Sequence, residues 1–118
     1  MWFTRQEIRD IANGDKRLTI RQKKSNGQLP IKVGSKTYIK TGSFVSKERY
    51  GQIKIIGLEI KALEEMTIKD AMLGGYSSSE AYIKAQLEEF NSDCDLDTPM
   101  LFYTFEVLEI DWDLVNLL

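Results

Sequence analysis

The first periodic stretch of the chain places Ile8, Ile11 and Ala12 on one helical face. Thr4 and Glu7, three apart, form a capping box ahead of it. Phe3 and Ile8 are spaced for a hydrophobic staple, and Asn13-Gly14 supplies the stop. The period then becomes that of a strand. Over about 16–22, Leu18 and Ile20 face one way and Arg17, Thr19 and Arg21 the other. A second strand, about 36–40, follows the turn Val33-Gly34-Ser35. A third runs over about 52–62, where the inward phase moves from Ile53 and Ile55 to Ile56, Leu58, Ile60 and Ala62. That shift beside Gly57 predicts a β-bulge, which curls a sheet. Thr67 and Asp70 open a helix that ends at Gly74-Gly75. Ser77 and Glu80 open another, with Ile83, Leu87 and Phe90 as its buried stripe. The fourth strand, about 100–110, is apolar enough to be central.

The connecting segments are polar. Residues 23–31 read as a loop, residues 41–51 carry Phe44, Val45 and Tyr50 among polar neighbours, and 91–99 is acidic. The tail 111–118 alternates weakly and fits a helical turn or a docking segment. Curved strands with a few flanking helices predict an α+β fold built on a small curved β-barrel, open or closed.

Bulk properties bound the class. With 118 residues, 42% apolar and 29% charged, the chain suits one globular domain over 1–110 followed by a tail. No apolar run approaches the roughly 20 residues needed to span a membrane, so no membrane partner is expected, and no secretory signal is visible. One cysteine excludes an internal disulfide and fits a reducing, cytoplasmic setting. The net charge of −2 hides an uneven partition. Residues 1–54 hold thirteen Lys/Arg against four Asp/Glu, a balance of +9, and residues 55–118 hold three against fourteen, a balance of −11. A basic half gathered on one surface would attract phosphate.

Candidate chemistry concentrates in Gly14–Arg21. A strand that carries Arg17, Thr19 and Arg21 on one face, with Lys16 at its start and Lys23 and Lys24 just beyond, suits an anion or a nucleotide backbone. Other chemistries are weaker. The absence of histidine excludes Ser-His-Asp and Cys-His arrangements. Cys94 lies between Asp93 and Asp95, which disfavour its thiolate. Asp93, Asp95 and Asp97 begin like a calcium loop, but Thr98 and Thr104 stand where the turn glycine and the bidentate Glu belong. Neither a metal nor a cofactor is therefore expected. Gly74-Gly75 lacks phosphate-loop spacing. Trp2, Tyr50, Tyr76 and Tyr82 are aromatic groups on which bases could stack.

Gly14-x-Lys16-x-x-Thr19-x-Arg21 resembles the signature of ASCH domains, of the PUA-like superfamily. Val33-Gly34-Ser35 resembles the family's turn before strand two, with Ser in place of Asp. Thr67–Ala71 followed by Gly-Gly-Tyr-Ser resembles a later segment, and Phe102–Val107 the closing strand. The resemblance implies a small β-barrel with a cleft between barrel and helices, and an association with RNA. One branch of the family hydrolyses acetylcytidine with a Lys, a Thr and a Glu. Lys16 and Thr19 fall on the first two positions; the third falls near Gly74, where there is no side chain. Glu59 and Glu80 are the replacements to consider.

The first reading is accordingly an RNA- or nucleotide-binding domain with a basic cleft. In it Lys16, Arg17 and Arg21 hold phosphate or a base edge, Thr19 makes a directional hydrogen bond, and Lys23, Lys24 and Lys32 steer the backbone. The second is a small amidohydrolase acting on a modified nucleoside, with Thr19 as nucleophile and Lys16 assisting its deprotonation. The third is a protein-interaction module using the acidic half and the apolar tail. A carboxylate beside Thr19 separates the first two, and the packing of Trp112, Leu114 and Leu117 tests the third.

Overall fold

The computed structural model describes residues 1–24, 27–42 and 47–118; Phe44 and Val45 lie outside them. Helices begin where a hydroxyl satisfies free backbone N–H groups. Thr4 Oγ1 accepts from Glu7 N, and a Glu7 carboxylate oxygen accepts from Thr4 N, so α1 (Arg5–Asn13) starts on its capping box. Gly14 ends it with a left-handed backbone at φ 88°, a conformation that strains any residue with a Cβ. Thr67 and Asp70 make the same reciprocal pair at α2 (Ile68–Leu73). The third helix, α3 (Ser79–Phe90), is capped by Ser78 and not by Ser77, and no box forms with Glu80. Its buried residues are Tyr82 and Gln86, while the expected stripe of Ile83, Leu87 and Phe90 is only partly buried beside them. The face is turned because Gly74 has no Cβ and the Tyr82 ring fills that space.

Among the described residues four antiparallel strands form one sheet: β1 (Leu18–Gln22), β2 (Lys36–Ile39), β3 (Gly51–Ala62) and β4 (Pro99–Ile110), in the order β1-β4-β3-β2. The apolar β4 is central. The bulge falls beside Gly57: Ile55 pairs with Phe105 and Gly57 with Thr104. Ile56 is therefore the extra residue and points outward; Leu58, opposite Tyr103, packs against the core and Ala62 is buried, but Ile60, expected inward, is exposed. A Cβ on Gly57 would overlap the Thr104 hydroxyl, which explains glycine at this close approach.

Among the described residues the sheet is open, so of the two forms expected, open or closed, it is not the closed barrel. Its edge strands have five and four residues against twelve in each central strand, too few to curl around and pair. The N-terminal segment bridges the opening instead. Phe3 N donates to Lys40 O at 2.9 Å, and Trp2 O accepts from Arg21 Nη2 at 2.6 Å.

Each face of the sheet has its own core. One gathers Ile8, Ile11, Ile53, Ile55, Tyr103 and Phe105; the other gathers Leu18, Ile20, Leu63, Tyr82 and Phe102. The tail forms α4 (Trp112–Val115), with Val115 buried in the first core and Leu118 O accepting from Arg9 Nη2 at 2.6 Å. Trp112 and Leu117 face outward, and Leu114 is half-buried. Among the described residues no helix is long and apolar enough to cross a membrane.

Candidate functional site

The capped end of α1 and the bulk of Tyr82 on α3 leave a cleft beside the edge strand β1. It consists of two adjoining cavities of about 370 Å³ each. Both are lined by Thr4, Glu7, Tyr82, Gln86 and Glu89. The first adds Trp2, Thr19, Arg21 and Phe90; the second adds Asp10, Lys16, Gly74 and Tyr76.

Lys16 enters from the turn between α1 and β1. Contrary to the expectation of an accessible cation, it is only 4% exposed. Its Nζ donates to Gly74 O at 3.4 Å, lies 3.6 Å from Glu7 Oε2, and sits 5.5 Å from the centroid of the Tyr82 ring. Burial lowers its pKa, and the Glu7 carboxylate opposes that shift. Tyr82 is buried too, which pushes its phenol well above the ordinary range, and it stacks on Tyr76 with centroids 4.3 Å apart.

Thr19 and Arg21 share one face of β1. Arg21 Nε donates to Thr19 Oγ1 at 3.2 Å, and its guanidinium carbon lies 4.9 Å from the centroid of the Phe3 ring. Burial lowers the Arg21 pKa, with Glu7 and Glu89 opposing. Arg21 therefore does two jobs: it straps β1 to the N-terminal segment through Trp2 O, and it walls the cleft.

The other sequence candidates lie elsewhere. Arg17 turns away, and its Nη1 donates to Ile11 O and Lys16 O, both at 2.8 Å, which satisfies a carbonyl at the end of α1. Lys23 and Lys24 are exposed beyond β1, and Lys32 is exposed in the following loop. Glu59 pairs with Lys61 at 3.4 Å and Glu80 lies on another face of α3, so neither lines the cleft. Tyr50 packs against the first core.

The cleft is thus of mixed charge rather than uniformly basic. Glu7 and Glu89 are carboxylates common to both cavities, Asp10 adds a third in the second, and none of the three is among the site residues expected from the sequence. Glu7 completes the capping box with one oxygen and faces Lys16 with the other. Glu89 was legible as the end of a Tyr82, Gln86, Glu89 stripe at helical spacing.

Gly74 closes the wall by bringing backbone against Tyr82. Gly74→Ala is expected to destabilise by about 1–3 kcal/mol through overpacking, because the new Cβ overlaps a buried ring. Urea unfolding measures it. A second substitution, Tyr82→Leu, should recover part of the loss.

The fold is one that solved structures share. The chain has the fold of ASCH-domain structures. An ASCH domain from Lactobacillus crispatus superposes with a TM-score of 0.76 at 16% identity, over 88% of this chain and 71% of that one. A DUF984 protein from Enterococcus faecalis gives 0.69 at 18%, over 92% and 79%. A variant of an ASCH protein from Zymomonas mobilis gives 0.58 at 14%, over 96% and 74%. At these identities the likeness is one of fold. No protein-family model matches the sequence, and a search of curated proteins finds no match.

Proposed function

We propose that this domain binds RNA or a nucleotide and that the cleft takes the nucleoside end of the ligand, base inward. The observation that carries the reading is the polar lining. Glu7 and Glu89 bring acceptors, Gln86 and Thr19 offer both donor and acceptor, and Arg21 brings donors, beside the aromatic side chains of Trp2 and Phe90. A base edge presents that mixture of groups, and a carboxylate suits an exocyclic amine. Two carboxylates repel a phosphate, so the phosphate belongs outside, toward the exposed Lys23, Lys24 and Lys32. Cytidine and cytidine monophosphate, titrated by calorimetry, test this. Both should bind, and Glu89→Ala should weaken both by about tenfold, the value of one good contact to a base edge. Glu89 is exposed, so the fold should be unaffected. Failure of every common nucleoside and nucleotide to bind overturns the reading.

A second reading rests on one specific observation: a buried lysine with a lowered pKa adjoins a carboxylate in a cleft that also contains a hydroxyl. Hydrolysis of an acetylated nucleoside would use these groups as follows. Neutral Lys16 takes the Thr19 proton, Thr19 Oγ1 attacks the acetyl carbonyl, and the departing amine takes that proton from the Lys16 ammonium as the C–N bond breaks. Water then releases acetate from Thr19. Among the described residues, Thr19 Oγ1 is hydrogen-bonded by Arg21 and by no carboxylate, so Glu7 would act through Lys16. The assay is cytidine release from acetylcytidine. Turnover abolished by Thr19→Ala supports this reading; absence of turnover removes it and leaves the binding reading intact.

A further inference from the structure

The cleft does not end at Arg21. On the other side of that side chain lies a further cavity of about 290 Å³, lined by Trp2, Arg21, Lys23, Lys24, Leu29 and Leu101 among others. It shares Trp2 and Arg21 with the nucleoside cavity. Its outer wall is the loop segment Leu29–Ile31, which Tyr103 pins to the sheet: Ile31 N donates to the Tyr103 hydroxyl at 3.0 Å. Leu29 is 80% exposed on that wall, and Ile31 also faces solvent. An apolar side chain so exposed on an anchored segment, opposite a row of cations, marks a surface for a ligand that is flat and apolar at one end and anionic at the other.

Resting on the nucleoside reading of the neighbouring cavity, we propose that this is a second nucleotide subsite, so that the ligand is single-stranded RNA of at least two nucleotides. The first nucleoside occupies the cleft between α1 and α3. The linking phosphate passes Arg21, whose Nη2 and Nε are held by Trp2 O and Thr19 Oγ1. Its Nη1 has no hydrogen-bond partner among the described residues and is the nitrogen that meets the phosphate. The next base lies against Leu29 and Leu101, with Lys23 and Lys24 at its backbone. Neither lysine is ion-paired among the described residues, so both charges are available to phosphate. The arrangement also separates the two charge signs of the ligand site. Carboxylates meet the base in the first cavity, and cations meet phosphate in the second.

Calorimetry with cytidine and with the dinucleotide cytidylyl-cytidine 3′-phosphate, which keeps a phosphate on the second nucleotide, tests the proposal on the intact chain. The dinucleotide should bind about tenfold or more tightly than cytidine, since a second base covering the apolar surface of Leu29 and a phosphate meeting unpaired cations together contribute on that order. The exposed substitutions Leu29→Ser and Lys23→Glu with Lys24→Glu should each remove that advantage, and Leu29→Ser should leave cytidine affinity unchanged. The charge-reversed variant should also lose most of the salt dependence of dinucleotide binding. Equal affinities for the two ligands, or a dinucleotide advantage that survives both variants, would overturn the second subsite and leave the nucleoside reading standing. If neither ligand binds, both fall together.

Discussion

Asp70→Ala is expected to lower the stability of the domain by about 3–5 kcal/mol, the usual consequence of leaving one partner of a buried ion pair alone. Asp70 Oδ2 lies 2.6 Å from Lys61 Nζ, and the two side chains are 8% and 11% exposed. The same oxygen accepts from Thr67 N at 3.0 Å and completes the cap of α2. Burial alone would raise the Asp70 pKa; hydrogen bonds from Lys61 and Thr67 outweigh it and hold the carboxyl below its ordinary value of 3.8. A carboxylate with a depressed folded pKa contributes stability that is present above the ordinary value and lost as pH falls through the folded one. Wild-type protein should therefore lose part of its stability below about pH 3.8, and the variant should lack that component. Urea midpoints across pH measure both. The double substitution Asp70→Leu with Lys61→Met should recover much of the loss, because it removes both buried charges. An exposed pair would give a loss below about 1 kcal/mol, and that result would contradict the burial seen here. The site depends on this clamp: Leu73 O accepts from Arg17 N at 2.6 Å and Gly74 O from Lys16 Nζ, so α2 positions the wall of the cleft.

Lys16→Met should reduce any cytidine release from acetylcytidine by about 10²–10⁴-fold, the range that proton transfer by a positioned group contributes. The fold should survive, since Met fills similar volume and Glu7 keeps its place in the capping box. The pH dependence separates a chemical role from a packing role. Burial lowers the Lys16 pKa in the folded protein below its ordinary 10.5. Over the interval between the two values the unfolded state binds more protons, so the Lys16 contribution to stability rises with pH. The stability difference, wild type minus variant, should climb through that interval and level off above 10.5. A flat difference would show that Lys16 keeps its ordinary pKa, and the proton-accepting role would fall with it.

Much of the scaffold could be read from local signals. Thr4 with Glu7, Gly14, Thr67 with Asp70 and the shift beside Gly57 each depend on residues a few positions apart, and each operates in the structure as its chemistry dictates. The errors arose where a distant residue decided the outcome. The α3 stripe turned toward Tyr82 because Gly74, on another element, leaves room for its ring. Ile56 points outward because the bulge consumes it. The sequence left the sheet open or closed, and it is open among the described residues because the edge strands are short and residues 1–3 bridge them.

The site divides along the same line. By itself the sequence determined that Lys16, Thr19 and Arg21 sit at the entry to a strand, with Lys23 and Lys24 beyond it, because alternation and a glycine stop are properties of neighbouring residues. Tertiary structure alone decided which of these groups share a cavity. It turned Arg17 to the end of α1, buried Lys16 against Glu7 and Gly74, and brought Glu89 from α3 to face Arg21. Charge counted along a chain is blind to such meetings. The basic first half and the acidic second half contribute to one cleft because helices from both fold over the same strand edge, and electrostatic interaction follows distance in space rather than position in sequence.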